Sequence, residues 1–325
     1  MQHPITIMST TQIRPLADSV CAHLLGLGIT SEHIPFTQET FACGEVWAQA
    51  SRSVRNKEVY LLHDLYVPET NVAIMTYVLM TDALIRASVG SIHAVLPYLP
   101  YTRQDRKDKG RVPISAAVIA RMIEQGGAVR HTMTFDLHAD QEQGFFAGPV
   151  DVLRSDTLFT QHYQRVCDDM RRVIVVAPDV GASKRAQRFA QRLNVPLAII
   201  DKRRSGPGTT SILHFLGPER LDGMTAILFD DICDSGGTLI EASRTLYQRG
   251  ASEVHAAVAF ALCTGHAEQR LRDAAIRLVT LDTIARDTAY KAANPDITFL
   301  PIDLFLAQVI AQNVIPEGSV SKLLE

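Results

Sequence analysis

Seven short, largely apolar runs punctuate the chain: Val59–Leu62, Ile92–Leu96, Thr132–Phe135, Val173–Ala177, Leu197–Ile200, Ala226–Phe229 and Val254–Leu262. Ala226–Phe229, AILF, is apolar at every position, which fits a strand buried on both faces. Longer segments with helical spacing separate the runs. After Ala226–Phe229, for example, Leu239, Ile240, Ser243, Leu246 and Tyr247 recur at the spacing of one helix face, and Gly250 is a helix stop. This alternation predicts an α/β architecture with mainly parallel sheets flanked by helices. Ligands of such sheets gather beyond the carboxyl ends of the strands, so the polar residues after each run are the candidates for chemistry.

Length turns one sheet into two. A chain of 325 residues suits two domains of roughly 150 residues each. The periodicity breaks at Gly148–Ser155, so the expected division is 1–152 and 153 onward. Hydrophobic residues at 46% and charged residues at 21% describe a globular chain rather than a disordered one. A net charge of −3 argues against a global nucleic-acid footprint. No apolar run approaches the ~20 residues that span a bilayer, and the opening MQHPITIMST lacks the layout of a signal peptide. Five scattered cysteines without a CxxC pair read as free thiols in a reducing compartment, with no zinc site. The expected location is cytoplasmic.

Four polar clusters follow the runs. After Ala226–Phe229 come Asp230 and Asp231, then Asp234-Ser235-Gly236-Gly237-Thr238 and a helix. Strand, small-residue turn and helix point backbone N–H groups and a helix N-terminus at an anion. The two carboxylates suit ribose hydroxyls or Mg²⁺ through water; an ordinary βα turn is the plainer alternative. After Val173–Val176, Asp179-Val180-Gly181 leads into a helix with Lys184, Arg185 and Arg188, and the same logic applies. Asp179 suits Mg²⁺, a hard cation that takes one or two carboxylates and keeps waters. Tyr101–Arg111, YTRQDRKDKGR, carries +3 and reads either as a solvated loop or as a cationic lid over a polyphosphate. Asp136 and His138 follow another strand two apart, where Asp136 can orient the imidazole toward a metal or phosphate role. Beyond Leu197–Ile200, Asp201-Lys202-Arg203-Arg204 precedes the flexible SGPGTTS; beside phosphate loops these cations suit transition-state charge.

Taken together, YTRQDRKDKGRVPIS, FDLHADQEQGFF, APDVGASKRA, IIDKRR and DDICDSGGT resemble, in order, the motifs of the ribose-phosphate pyrophosphokinase (phosphoribosyl-pyrophosphate synthetase) family. The resemblance runs nearly end to end. It implies two phosphoribosyltransferase-like domains, the second spanning 153–312, with a tail, 313–325, returning to the first. It implies transfer of pyrophosphate from ATP to the C1 hydroxyl of ribose 5-phosphate, giving PRPP and AMP, with Mg²⁺. By the same resemblance Asp234–Thr238 hold the 5-phosphate, with Asp230 and Asp231 near the ribose hydroxyls. His138 and Asp179 hold the metal, and Asp179–Gly181 lie by the pyrophosphate. Lys202, Arg204 and Arg103 act on the transferring group. Arg103, Gln104, Asp105, Lys107, Lys109 and Arg111 cover ATP. Phe41, Cys43 and Glu45 match residues that contact adenine from a neighbouring subunit, implying a dimer or hexamer. Ser53 and Arg55, with Ser319-Val320-Ser321, match an allosteric phosphate pocket.

Two positions depart from the family pattern. Cys43 stands where Asp or Asn is usual, and a thiol is a poor acceptor for the adenine amino group. Asn71-Val72-Ala73 replaces Asn-Asp-Asn, which disturbs a local polar network. Two other readings differ in class: a non-catalytic regulatory homologue and a PRPP-using phosphoribosyltransferase. The uninterrupted lid with Lys202 and Arg204 argues against the first, and the doubled architecture argues against the second.

Overall fold

A computed structural model describes residues 4–67, 69–203 and 212–324, apart from the side chains of 202, 203, 212 and 213. Among them, fourteen strands form two sheets of seven. The first sheet contains β1 (Ile5–Ser9), β2 (Ser31–Thr40), β3 (Val46–Ala50), β4 (Glu58–Leu62), β5 (Ser91–Val95), β6 (Val129–Phe135) and β7 (Val150–Leu153). The second contains β8 (Val173–Ala177), β9 (Leu197–Arg203), β10 (Ile212–Leu216), β11 (Thr225–Cys233), β12 (Glu253–Ala261), β13 (Ile276–Leu281) and β14 (Thr298–Leu300). The spatial orders, β3-β2-β1-β4-β5-β6-β7 and β10-β9-β8-β11-β12-β13-β14, are the same arrangement repeated. Every neighbouring pair is parallel except the edge pairs β2–β3 and β9–β10.

The continuous apolar runs are the interior strands. All five residues of β8, VIVVA, are at most 1% exposed, so both faces of the strand are covered. Each such side chain contributes about 1.5–3 kcal/mol on burial. In the second sheet Ile174, Val176, Leu228, Leu239 and Leu246 share one core; in the first, Val59, Leu61, Ile92, Tyr77 and Met80 share another. Edge strands lack the continuous signal: β3 alternates between half-buried and exposed positions, and β14 has three residues.

The chain folds as two compact units: unit 1, Met1–Leu153 with Thr283–Ala285 and Pro301–Glu325, and unit 2, Arg154–Asp282 with Arg286–Leu300. This corrects the division expected from sequence. The segment 301–312, assigned there to the second half, belongs with unit 1 because the helix Asp303–Val314 packs on the helix Arg14–Gly26. Ser19 and His23 of the latter helix both bond the Asp303 carboxylate, and Phe305 lies beside Phe135 of β6. Within Gly148–Ser155 the chain passes from unit 1 to unit 2 directly after β7.

Candidate active site

The chain leaves β8 toward β9 on one side of it and enters β11 on the other. Such a reversal opens a crevice at the carboxyl ends of two adjacent parallel strands, the usual place for a ligand in an open α/β sheet. Here β8 and β11 pair from Val173↔Thr225 to Val176↔Leu228, and both anion-loop candidates issue from them. Beyond β8, the Asp179 carboxylate accepts from the Ala182 backbone N–H at 2.9 Å, and the Ser183 hydroxyl donates to the Val180 carbonyl at 2.6 Å. These bonds fold Asp179–Gly181 into a tight turn before the helix Ser183–Leu193. A Cβ on Gly181 would sit 3.1 Å from the Asp179 carboxylate, so the turn favours the smallest residue there.

Beyond β11 the loop is braced from the neighbouring strand's end. The Thr264 hydroxyl donates to Asp234 Oδ1 at 2.6 Å, its N–H donates to the Asp234 carbonyl, and Arg270 Nη1 donates to the Ser235 carbonyl at 2.8 Å. Gly236 has φ +74 and caps the helix Gly237–Gln248 without a side-chain bond to its first turn. Helix-start N–H groups without intrahelical partners are anion donors. The two glycines differ. A Cβ on Gly236 would press on Leu271 at 3.3 Å, whereas one on Gly237 would meet only the Ser235 hydroxyl, at 3.8 Å. Gly236 is required by the turn; Gly237 leaves space outside it.

The strand β11 outlasts its apolar run. Asp230 and Asp231, expected beyond the strand, lie within it, and pairing continues through Asp230↔Val258 to Cys233↔Ala261. Successive strand residues face opposite sides. Asp231 is 4% exposed and forms an ion pair with Arg185 Nη1 at 3.3 Å, while Asp230 Oδ1 accepts from the Asp231 N–H at 2.9 Å. Burial first, and then the Asp231 carboxylate, push the Asp230 carboxyl well above the usual range; Asp179 adds to this and Arg185 opposes it. The carboxyl ends of β8 and β11 therefore carry excess negative charge. Hydroxyl donors or a hard divalent cation relieve such charge, so the donor set fits Mg²⁺. Among the described residues no three His, Cys, Asp or Glu side chains gather as a metal cluster; Mg²⁺ held by one or two carboxylates, waters and substrate phosphates requires none.

Lys202 lies on β9, near its end, and Arg204 lies outside the described residues. In unit 1, Arg103, Gln104, Lys107, Lys109 and Arg111 are exposed and Asp105 half-buried, in a segment without regular structure. Its base is fixed: the Tyr101 hydroxyl donates to Asn71 Oδ1 at 2.7 Å, the Gln104 N–H to the Tyr101 carbonyl, and the Ala116 N–H to the Gln104 carbonyl. Tyr101 and Arg111 both have left-handed φ, 67 and 64, so sharp bends bracket the cationic stretch. Asn71 thus keeps a role although Val72 and Ala73 cannot extend a polar network. His138 is exposed past β6, before a short 3-10 helix, Asp140–Phe145, where buried Glu142 accepts from the Ala139 N–H at 2.8 Å. Phe41, Cys43 and Glu45 occupy the exposed tip of the β2–β3 hairpin, closed by Phe41 N–H to Glu45 carbonyl and Gly44 N–H to Phe41 carbonyl bonds of 2.8 Å. Ser53 and Arg55 follow β3, both exposed; Ser319 and Val320 are half-buried and Ser321 exposed near the last helix, Ser321–Leu324.

Thr264 and Arg270 brace the loop yet have no signature in the sequence, since they follow a different strand. Arg185 was visible only as one cation among three on a helix. Its helical position, one turn past Gly181, is the signal that its side chain returns toward the crevice.

The N-terminal domain of ribose phosphate pyrophosphokinase matches residues 5–127, and the phosphoribosyl transferase domain matches residues 151–293. A ribose-phosphate pyrophosphokinase from Bradyrhizobium diazoefficiens is 39% identical over 90% of this chain and 92% of its own. One from Hyphomonas neptunium is 38% identical over 98% and 99%. The crystal structure of phosphoribosylpyrophosphate synthetase from Mycobacterium smegmatis superposes with a TM-score of 0.85 at 33% identity, covering 96% of this chain and all of that one.

Proposed function

The chain belongs to the ribose-phosphate pyrophosphokinase family, and from that premise we infer that it makes PRPP. The C1 oxygen of ribose 5-phosphate attacks the β-phosphorus of ATP. The bond from that phosphorus to the α,β-bridging oxygen breaks, AMP leaves, and the hydroxyl proton is released. The observation that carries this reading is the braced Asp234–Thr238 loop on the strand next to the Asp179–Gly181 turn, with the adjacent carboxyls Asp230 and Asp231 between them.

In this reading the helix start at Gly237, with Ser235 and Thr238, takes the 5-phosphate, and Asp230 and Asp231 take ribose hydroxyls. The Asp179–Gly181 turn faces the pyrophosphate. Lys202, Arg204 and Arg103 supply positive charge where it develops in transfer, each such donor being worth about 2.7–4 kcal/mol. The bent, cationic Arg103–Arg111 segment covers the nucleotide. Asp179 and His138 are the residues we assign to Mg²⁺, which when bound neutralises phosphate charge. Phosphoryl transfer asks the protein chiefly for alignment and fixed charge. The exposed Phe41, Cys43 and Glu45 support adenine contact across a subunit boundary, and hence a dimer or hexamer. Ser53, Arg55 and Ser319–Ser321 are candidates for a regulatory phosphate. No helix among the described residues is long and apolar enough to cross a membrane, and we place the enzyme in the cytoplasm with its nucleotide substrate.

The test is release of AMP from ATP with ribose 5-phosphate, with and without inorganic phosphate, and stoichiometric appearance of PRPP. AMP formation that does not depend on ribose 5-phosphate, or none at all with Mg²⁺ present, would refute the assignment.

A further inference from the structure

Two cysteines lie on backbones joined to each other at the ends of adjacent strands, behind the phosphate loop. Cys233 is the last residue of β11, immediately before Asp234, and is 1% exposed. Cys263 lies just past the neighbouring β12 and is half-buried. The Leu262 and Cys263 N–H groups both donate to the Cys233 carbonyl, at 2.9 and 3.1 Å, which ties the two backbones together at this point. Both cysteines are free. The next residue on each side continues the link, since Thr264 holds Asp234 through hydroxyl and backbone.

The segment carrying Cys263 is strained. Cys263, Gly265 and His266 have φ of 53, 58 and 61, so three of these four consecutive residues are left-handed. For the two non-glycine residues that conformation costs of order 1–3 kcal/mol each and persists only where surrounding contacts hold it. Those contacts are the bonds to Cys233 and Asp234, together with Arg286 Nη2 donating to the Ala261 and Leu262 carbonyls. The thiols differ in character: the neighbouring Cys263 first, and then burial, push Cys233 up, while Cys233, Arg286 and Tyr290 bring Cys263 down despite its own partial burial and Glu268. A half-buried thiol brought down beside a fully buried partner is the arrangement of a reactive and a resolving cysteine.

We propose that Cys233 and Cys263 form a reversible redox pair, oxidised by hydroperoxides, whose disulfide disables the Asp234–Thr238 loop. The effect on ribose 5-phosphate rests on the functional reading above. The Cys263 thiolate attacks the peroxide, giving a sulfenic acid and, after protonation, water or an alcohol. The Cys233 thiol then displaces hydroxide from that sulfur, its proton leaving as water, and the S–S bond forms. A disulfide fixes its two sulfurs about 2.05 Å apart, well inside the separation of two unbonded thiols. Closure therefore draws the end of β11 toward the strained turn and displaces Asp234 and its Thr264 brace. Misplacement of a binding group by about 1 Å costs up to a hundredfold.

The full-length protein is treated with hydrogen peroxide and its cysteine peptides are mapped by mass spectrometry, beside calorimetric titration with ribose 5-phosphate. Binding by the reduced protein is measured first and tests the functional reading alone; the peptide cross-link decides the redox pair whatever that result. The expected outcome is a Cys233–Cys263 cross-linked peptide, ribose 5-phosphate affinity at least about tenfold weaker, and recovery with dithiothreitol. Cys263→Ser and Cys233→Ala should each bind normally when reduced and lose the peroxide response, while Cys43→Ser and Cys167→Ser keep it. Oxidation that stops at a sulfenic acid without the cross-link would overturn the proposal. So would a cross-linked protein that binds ribose 5-phosphate as the reduced one does, or a Cys263→Ser variant that still responds.

Discussion

Replacing Arg185 by Met should unfold the second unit more easily, by an amount the structure sets. The ion pair of Arg185 with Asp231 spans 3.3 Å, with side chains 12% and 6% exposed. At an effective dielectric of 20 the attraction is about 5 kcal/mol, most of it offset by desolvating both groups. Removing the cation alone leaves Asp231 buried beside Asp230, which is already pushed up by burial and by that neighbour. Breaking a buried pair this way costs about 3–5 kcal/mol; we expect about 3 kcal/mol at pH 7 in urea unfolding followed by far-UV circular dichroism. The sign of its pH dependence is fixed. Without Arg185 both carboxyls titrate higher in the folded state than unfolded, so the variant's deficit grows as pH rises and shrinks toward pH 5. Adding Asp231→Asn to the variant should recover about half the loss, since the orphaned charge is gone. A loss below about 1 kcal/mol, a deficit independent of pH, or no recovery in the double variant would refute the argument.

Gly237→Val should leave the fold's stability within about 0.5 kcal/mol because its side chain enters open space, yet abolish ribose 5-phosphate binding by calorimetry; Gly236→Val should instead lower stability, through its positive φ and Leu271. Lys202→Ala should reduce kcat about a hundredfold with KM nearly unchanged, as a charge acting only in the transition state requires, and a raised KM with normal kcat would contradict that role. Cys43→Asp should sharpen the ATP-to-GTP ratio of kcat/KM by about tenfold, or ~1.4 kcal/mol, unless the wild type already excludes GTP. Asp230→Asn should stabilise the ligand-free protein at pH 7: a carboxyl raised in the folded state favours folding below its unfolded pKa and loses that contribution as pH rises through the folded one. A gain of about 1 kcal/mol, read as ~2–4 °C in Tm for a unit of this size, should accompany loss of ribose 5-phosphate use. An unchanged or lower Tm would count against the charge reading.

Interior strands such as β8 and β11 were legible because VIVVA and AILF are apolar at every position, whereas the interior β1, ITIMS, and β13, IRLVTL, carry polar residues within the run and were missed. The far ends of β9 and β11 were not legible, since function overrides pattern there. The ladder of β11 continues through two carboxylates, and that of β9 runs on to Lys202 and Arg203, where composition reads as loop. The β2–β3 pair was missed because β3 is an edge strand that buries little, and the residues SEHIPFTQET and VWAQA give no continuous run. The anion loops announced themselves through glycines and a following helix, features local in sequence. Their braces did not: Arg270 and Thr264 reach Ser235 and Asp234 across 35 and 30 positions, and only strand order makes them neighbours. The return of 301–325 to unit 1 was foreseen too late in the chain because a helix face does not name its partner.

The repeated strand order has a consequence for how such a molecule can evolve. Both sheets possess a reversal point, and past the first one the protein's own backbone takes up described polar side chains. Past β4, in unit 1, His63 hydrogen-bonds the Ala73 carbonyl at 3.0 Å, and burial brings its pKa to about 4, so a neutral ring closes that end. Asp64, 2% exposed, accepts from the N–H groups of Tyr66 and Ala285 at 2.8 and 2.6 Å, spending its charge on the protein's own backbone. The same strand arrangement thus carries mortar at this point in one half and, in our reading, a socket in the other. Mutations at the mortar are screened by folding alone, those at the socket by folding and turnover together. Drift along the two halves of one gene is accordingly filtered by different pressures, although the backbone beneath them is the same.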